Sequence, residues 1–131
     1  GQCCQTASAA HDFCYRHQCY ETTRQVGEYL GLKADSFSTS FQSRLGRDPW
    51  LQPYTDQTIE KFAHEGVKKL AIVTPAFVSD CLETLEEIGM EGKEEFLKNG
   101  GEEFHVIPCL NDGDEWVKTL ARWVDEWASQ N

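Results

Sequence analysis

The chain has 131 residues, 40% hydrophobic and 26% charged, the make-up of an ordinary soluble domain long enough to bury a single core. Twelve basic against 22 acidic side chains give a net charge of −10, which excludes a nucleic-acid surface, since nothing neutralises a row of phosphates, and disfavours electrostatic docking on an anionic membrane. No apolar run approaches the ~20 residues of a transmembrane helix and no signal peptide is present, so a cytoplasmic location is expected.

Cysteines come first along the chain. Cys3, Cys4, Cys14 and Cys19 crowd the start, while Cys81 and Cys109 sit further on among helices and strands. A secreted disulfide framework predicts a small loop-rich core, whereas this chain has long periodic helices that need no staples. Adjacent cysteines such as Cys3 and Cys4 rarely bridge each other, because the geometry is strained. A metal or iron–sulfur site drawing on Cys3, Cys4 and Cys14 fits better, since clustered thiolates suit iron. The spacing C-C-x9-C is not a familiar ferredoxin pattern, and it sets residues 1–14 apart as a cysteine-rich segment before the domain proper at 15–131.

Residues 9–30 read as a helix with Tyr15, Cys19, Thr22, Val26, Tyr29 and Leu30 on a rough apolar stripe, stopped by Gly31. His11 and His17 on it read as polar surface. Residues 36–43 alternate small polar and aromatic side chains and are expected to form the first strand. The connection from Arg44 to Thr55 holds Gly46, Pro49 and Pro53, with Trp50 and Leu51 between the prolines. A connection this long in a compact domain usually carries function. Trp50 is either a plug on the core or one wall of a pocket for a flat apolar ring.

Thr55 or Asp56 caps the next helix, which turns Ile59, Phe62 and Ala63 inward and ends at Gly66. Residues 67–74 are the second strand. It runs into Pro75 and a turn, and a helix opens at Ser79 or Asp80 and continues to about Lys98. Asn99-Gly100-Gly101 closes that helix, 103–107 is the third strand, and His105 is expected on its outer face. A last helix starts at Asn111 or Asp112 and carries Trp116, Leu120, Trp123, Val124 and Trp127 on one side. Core packing is the ordinary meaning of that stripe, and a partner helix, an oligomer contact or a peripheral membrane contact the alternative. The order is α-β-α-β-α-β-α, and helical crossovers demand parallel strands, so the expected fold is a three-layer α/β/α domain.

The start of the helix after the second strand is where open α/β sheets bind ligands, at the carboxyl end of a parallel strand. Asp80 and Glu83 fall there, and Glu83, Glu87 and Glu91 follow at four-residue steps. Like charges so spaced cost a helix ~0.2–0.5 kcal/mol per pair. A solvated acidic face is one reading. The other is a cleft in which crowded carboxylates pass protons or hold a cation.

Three stretches in this order resemble the ferrochelatase family: Phe41-Gln-Ser-Arg-Leu-Gly-Arg-Asp-Pro-Trp-Leu-Gln-Pro-Tyr-Thr-Asp56, Ser79-Asp-Cys-Leu-Glu-Thr-Leu-Glu-Glu-Ile88 and Ile107-Pro-Cys-Leu-Asn111. The resemblance extends over nearly all of the chain from about Tyr15 onward and is to the C-terminal half of that family. The resemblance implies insertion of ferrous iron into protoporphyrin at the end of haem synthesis. It implies that Glu83 works as proton acceptor and iron contact opposite a catalytic histidine, and that Glu87 and Glu91 form a proton or metal relay. Gln42, Ser43, Arg44 and Trp50 would line the porphyrin, with Arg44 or Arg47 suited to a propionate, and Asp80 would orient the acidic pair or cap the helix. Cys81 stands where animal members carry a histidine. Some bacterial members hold a [2Fe–2S] cluster on a segment with two adjacent cysteines, which makes Cys3, Cys4 and Cys14 candidate ligands and Cys19 a substitute. The family's histidine motif and the strand that bears it are absent from this sequence, so the N-terminal half is an expected partner and the isolated chain is expected to be inactive. Two other readings stand beside this one: a domain that binds a tetrapyrrole or cluster without turning it over, and another metal chelatase of the same superfold.

Overall fold

The computed structural model describes residues 6–42 and 49–130. They belong to two compact units that divide between Lys61 and Phe62.

In the first unit a 3₁₀ turn, Ala9–Phe13, is capped by the Ser8 hydroxyl oxygen, which accepts from the Ala10 N–H at 3.2 Å. It gives way at Cys14 to helix α1, Tyr15–Tyr29, so the single helix expected from residue 9 is two elements. The end of α1 is a Schellman motif: Leu32 N–H donates to the Gly27 carbonyl at 2.9 Å and Gly31 N–H to that of Glu28 at 3.1 Å. Segment 36–42 then runs back along α1. Phe37 lies so close over Gly27 that a Cβ there would stand 2.4 Å from the ring, Thr39 reaches the Thr23 hydroxyl at 2.8 Å, and Phe41 meets Tyr20 edge-on at 5.9 Å.

The expected strand at 36–43 is therefore not one among the described residues. Its alternation is real, but what it records is one side packed on a helix, and among the described residues its ladder contact is a parallel bridge between Phe41 and Tyr54. Phe41 N–H donates to the Pro53 carbonyl at 2.9 Å and Thr55 N–H to the Phe41 carbonyl at 3.2 Å. That bridge closes the long connection at its base and starts helix α2, Thr55–His64, on which Thr55, Ile59 and Ala63 are buried at four-residue steps.

The second unit is built on two parallel strands, β1 at Lys69–Ile72 and β2 at Glu103–Val106, in the register Lys69↔Glu103 to Ile72↔Val106. The ladder extends by one bond at each end, Glu103 N–H to the Lys68 carbonyl at 2.9 Å and Ile107 N–H to that of Ile72 at 2.8 Å. The α/β class with a parallel sheet holds, with both strands shorter than expected. The crossover joining them is a π-helix, Glu83–Gly92, continued by helix α3, Lys93–Lys98.

This crossover packs through one row. Thr84, Ile88, Gly92 and Phe96 are buried at a strict four-residue step. In an α-helix a four-residue step overshoots a turn by ~40°, so three steps would wind the row well around the helix. A π-helix bonds N–H(i+5) to C=O(i), so its wider turn keeps side chains four apart nearly in line. Phe96, 0% exposed, anchors the row against Phe104 of β2 at 5.7 Å between ring centroids. Gly100, at φ 105, supplies the left-handed residue of a second Schellman motif, with Gly101 N–H donating to the Phe96 carbonyl at 2.9 Å.

Helix α4, Asp114–Gln130, overturns the expectation of core packing, because none of its residues is buried. Trp116 is half-buried, while Trp123 and Trp127 are 51% and 67% exposed. Trp116 and Trp123 meet each other edge-on at 5.8 Å.

Candidate active site

Two loops leave the parallel pair at its carboxyl end and are stitched together. The loop after β1 turns at Thr74, whose carbonyl accepts from Phe77 N–H at 2.9 Å, and reaches Asp80. The loop after β2 reaches Asn111, which has φ 48. Asn111 donates its backbone N–H to the Val78 carbonyl at 3.0 Å and its side-chain Nδ2–H to Asp80 Oδ2 at 2.7 Å, and its Oδ1 accepts from Asp80 N–H at 2.8 Å. Nearer the strands, Thr74 Oγ1 and Cys109 Sγ lie 3.3 Å apart.

Asp80 passes this tie to the helix. Its Oδ1 accepts from the hydroxyl of Thr84, which is 1% exposed, at 2.9 Å, and the Thr84 oxygen accepts from Cys81 N–H at 3.0 Å. The Asn111 side chain, helped by hydrogen bonds from Cys109 and Thr84, holds the Asp80 carboxyl below the usual carboxylate range. Burial, reinforced by that nearby carboxylate, pushes the Cys109 thiol up, which keeps it protonated at neutral pH. Asp80 thus acts as a cross-link with both oxygens engaged, more than the helix cap its position suggests.

Glu83, Glu87 and Glu91 each precede one residue of the buried row, so the acidic line runs beside it along the π-helix. Glu83 is half-buried at the helix start, and Glu87 and Glu91 are exposed, so the line leads from the mouth of the stitched loops out to solvent. Glu83 also sits in the first turn, where the helix dipole favours a negative charge. Such a line can accept a proton at its inner end and hand protons or a cation along.

Other sequence-derived candidates are distributed unevenly. Gln42 and Trp50 belong to the first unit; Gln42 is half-buried beside the Phe41 bridge, and Trp50 is 42% exposed. Ser43, Arg44 and Arg47 lie outside the described residues, as do Cys3 and Cys4. Cys14 and Cys19 are free thiols, both half-buried, the first at the N-cap of α1 and the second one turn along it. Among the described residues, Cys14 included, no three His, Cys, Asp or Glu side chains group closely enough to hold a metal ion. His11 and His17 stack on each other at 3.8 Å.

Asn111, Thr84 and Cys109 are the residues that sequence reasoning missed as parts of a site. Asn111 read as a helix start, yet α4 begins at Asp114. The usable signal was an Asn-Asp-Gly run just beyond a strand, where Asn tolerates the left-handed backbone.

Fold and site together define an α/β domain whose sheet end feeds a line of carboxylates on a π-helix. The family model described as Ferrochelatase matches residues 4–128. A relative named Ferrochelatase from Pseudomonas putida strain W619 is 50% identical over 125 residues, 95% of this chain and 37% of its own length. One so named from Opitutus terrae is 51% identical over 95% of this chain and 36% of its own, and one from Brucella ovis 57% identical over 81% of this chain and 30% of its own. The chain belongs to the ferrochelatase family, and spans about a third of the length of the curated relatives it matches.

Proposed function

We propose that this chain is the C-terminal part of a ferrochelatase that inserts ferrous iron into protoporphyrin, with Glu83 as proton acceptor and iron contact. Insertion brings one divalent ion into a flat ring and releases two pyrrole N–H protons, so the site needs a base at the ring and a way out for protons. The observation that carries the reading is the acidic row Glu83, Glu87, Glu91 on a π-helix, opening at the carboxyl end of a parallel pair in a chain of this family. Glu87 and Glu91 relay protons or metal, and Asp80 orients the start of the row. Gln42, Ser43, Arg44 and Trp50 form the porphyrin side; the exposed Trp50 indole is suited to stack on a flat ring.

An N-terminal half, bearing the histidine that faces Glu83, completes the enzyme. The share of the relatives' length that this chain leaves unmatched supports that part of the reading. Cys3, Cys4 and Cys14 are the candidate ligands of a [2Fe–2S] cluster, with Cys19 as substitute, and the enzyme acts in the cytoplasm. The exposed aromatic side of α4 supports a further contact, with an oligomer partner or at a membrane surface.

The test is an absorbance titration of a full-length protein carrying this chain with porphyrin, then ferrous or zinc ion without oxygen. Glu83→Gln should bind porphyrin as the parent does and lose insertion by about 100-fold or more, the scale of losing a general base. Insertion at the parental rate would remove Glu83 from the chemistry. Failure of the parent itself to bind porphyrin would return the acidic row to a solvated helix face.

A further inference from the structure

We infer that Asn111 is a positioning residue for metal insertion: with Asp80 and Thr84 it forms a brace that fixes the first turn of the π-helix and so the direction of Glu83. The inference rests on the reading of Glu83 as the base. Asn111 takes a left-handed backbone, φ 48, that Asn tolerates better than most side chains. Here its N–H, Nδ2 and Oδ1 are all directed at one target, the Val78 to Asp80 segment, more than thirty residues away in sequence.

The π-helix has Leu82 at its N-cap, with no side-chain hydrogen bond to the first turn. Order there comes instead from Asp80 Oδ1, held by Thr84 Oγ1 at 2.9 Å, and from Cys81 N–H, held by the same hydroxyl at 3.0 Å. Glu83 lies between these pinned residues, so the backbone that carries it is set through them. A base that must meet a pyrrole proton in line is sensitive to this, since a misplacement of about 1 Å can cost on the order of 100-fold in rate.

The test separates side chain from backbone. In the full-length protein Asn111→Gly keeps the left-handed backbone and deletes the amide. It should lower kcat for insertion by about 10- to 100-fold while porphyrin KM stays within about threefold, because the loss falls on alignment and not on binding. Asn111→Asp puts a second carboxylate against Asp80, and two facing carboxylates hold one proton between them as pH falls. The other titratable group at this spot is the Cys109 thiol, which hydrogen-bonds Asp80. The kcat ratio of Asn111→Asp to the parent should therefore rise as pH is lowered.

Parental kcat in Asn111→Gly, or a ratio for Asn111→Asp that is flat with pH, overturns the brace. Glu83→Gln run alongside tells the two failures apart. If it is inert while Asn111→Gly inserts metal normally, the positioning role alone is wrong; if it inserts metal normally, both readings fall.

Discussion

Two amphipathic helical stretches follow the two parallel strands of the second unit, and they have opposite fates. The π-helix and α3, after β1, bury Thr84, Ile88, Gly92 and Phe96 in one row. Helix α4, after β2, has no fully buried residue, although it carries three tryptophans on one side. A hydrophobic period therefore states that a helix has a face to cover and is silent on what covers it. The crossover is covered because its own strands lie within reach, Phe96 resting on Phe104. In α4 no residue is buried, and Trp116 meets Trp123.

The sharpest way to break this contrast is to truncate one ring on each side. Phe96→Ala should destabilise the chain by about 3–5 kcal/mol, the cost of emptying a fully buried aromatic site. Trp123→Ala should change it by no more than ~0.5 kcal/mol, as surface substitutions do. Urea unfolding of the two variants beside the parent measures both, and equal losses would mean that α4 is packed after all. Should Trp123→Ala lower association or membrane recovery of the full-length protein while leaving its unfolding untouched, the face is an interface.

A smaller effect is expected at the head of the row. Thr84→Val keeps the volume of a buried side chain but leaves Cys81 N–H and one Asp80 oxygen without their partner, a loss of about 1–3 kcal/mol. The same unfolding series, with Leu85→Ala as the exposed neighbour that should do almost nothing, reads it out. A Thr84→Val protein as stable as the parent would show that the brace is ornamental to the fold.

The smallest effect is electrostatic. Because the Asp80 carboxyl is held below its unfolded value, its bonds to Asn111 stabilise the loops above about pH 4, the unfolded carboxylate value, and are lost only as pH falls through the lower folded value. The Asn111 side-chain amide resonance should accordingly hold steady through the ordinary carboxylate range and move only below it, and Asp80→Asn should abolish the movement. A midpoint at the ordinary carboxylate value would mean that the tie to Asn111 is not made in solution.

Much of the site was legible because its residues are close in sequence. Asp80, Glu83, Glu87 and Glu91 share one helix whose start could be placed from Pro75 and the strand before it, and the family motifs marked the same stretch. What escaped was whatever depends on a partner far along the chain. Asn111 reads locally as a helix start, and its bonds to Asp80 exist only once two loops meet at one end of the sheet. Segment 36–42 shows the complementary error: its alternation is real, and Phe37, Thr39 and Phe41 share the side that meets α1, but a strand needs a second backbone to pair with, and α1 presents side chains instead.

Local chemistry, then, was determined by sequence alone: the parallel α/β class, the Schellman endings at Gly31 and Gly100, the acidic row and the family, since each is written in residues a few positions apart. The tertiary structure alone decided that the row lies on a π-helix, that Asp80 is a cross-link, and that no described residue of α4 is buried. For the last two the physical reason is the same. Hydrogen-bond partners and covering surfaces are chosen among groups tens of residues apart, and only the folded chain brings those groups within 3 Å of each other.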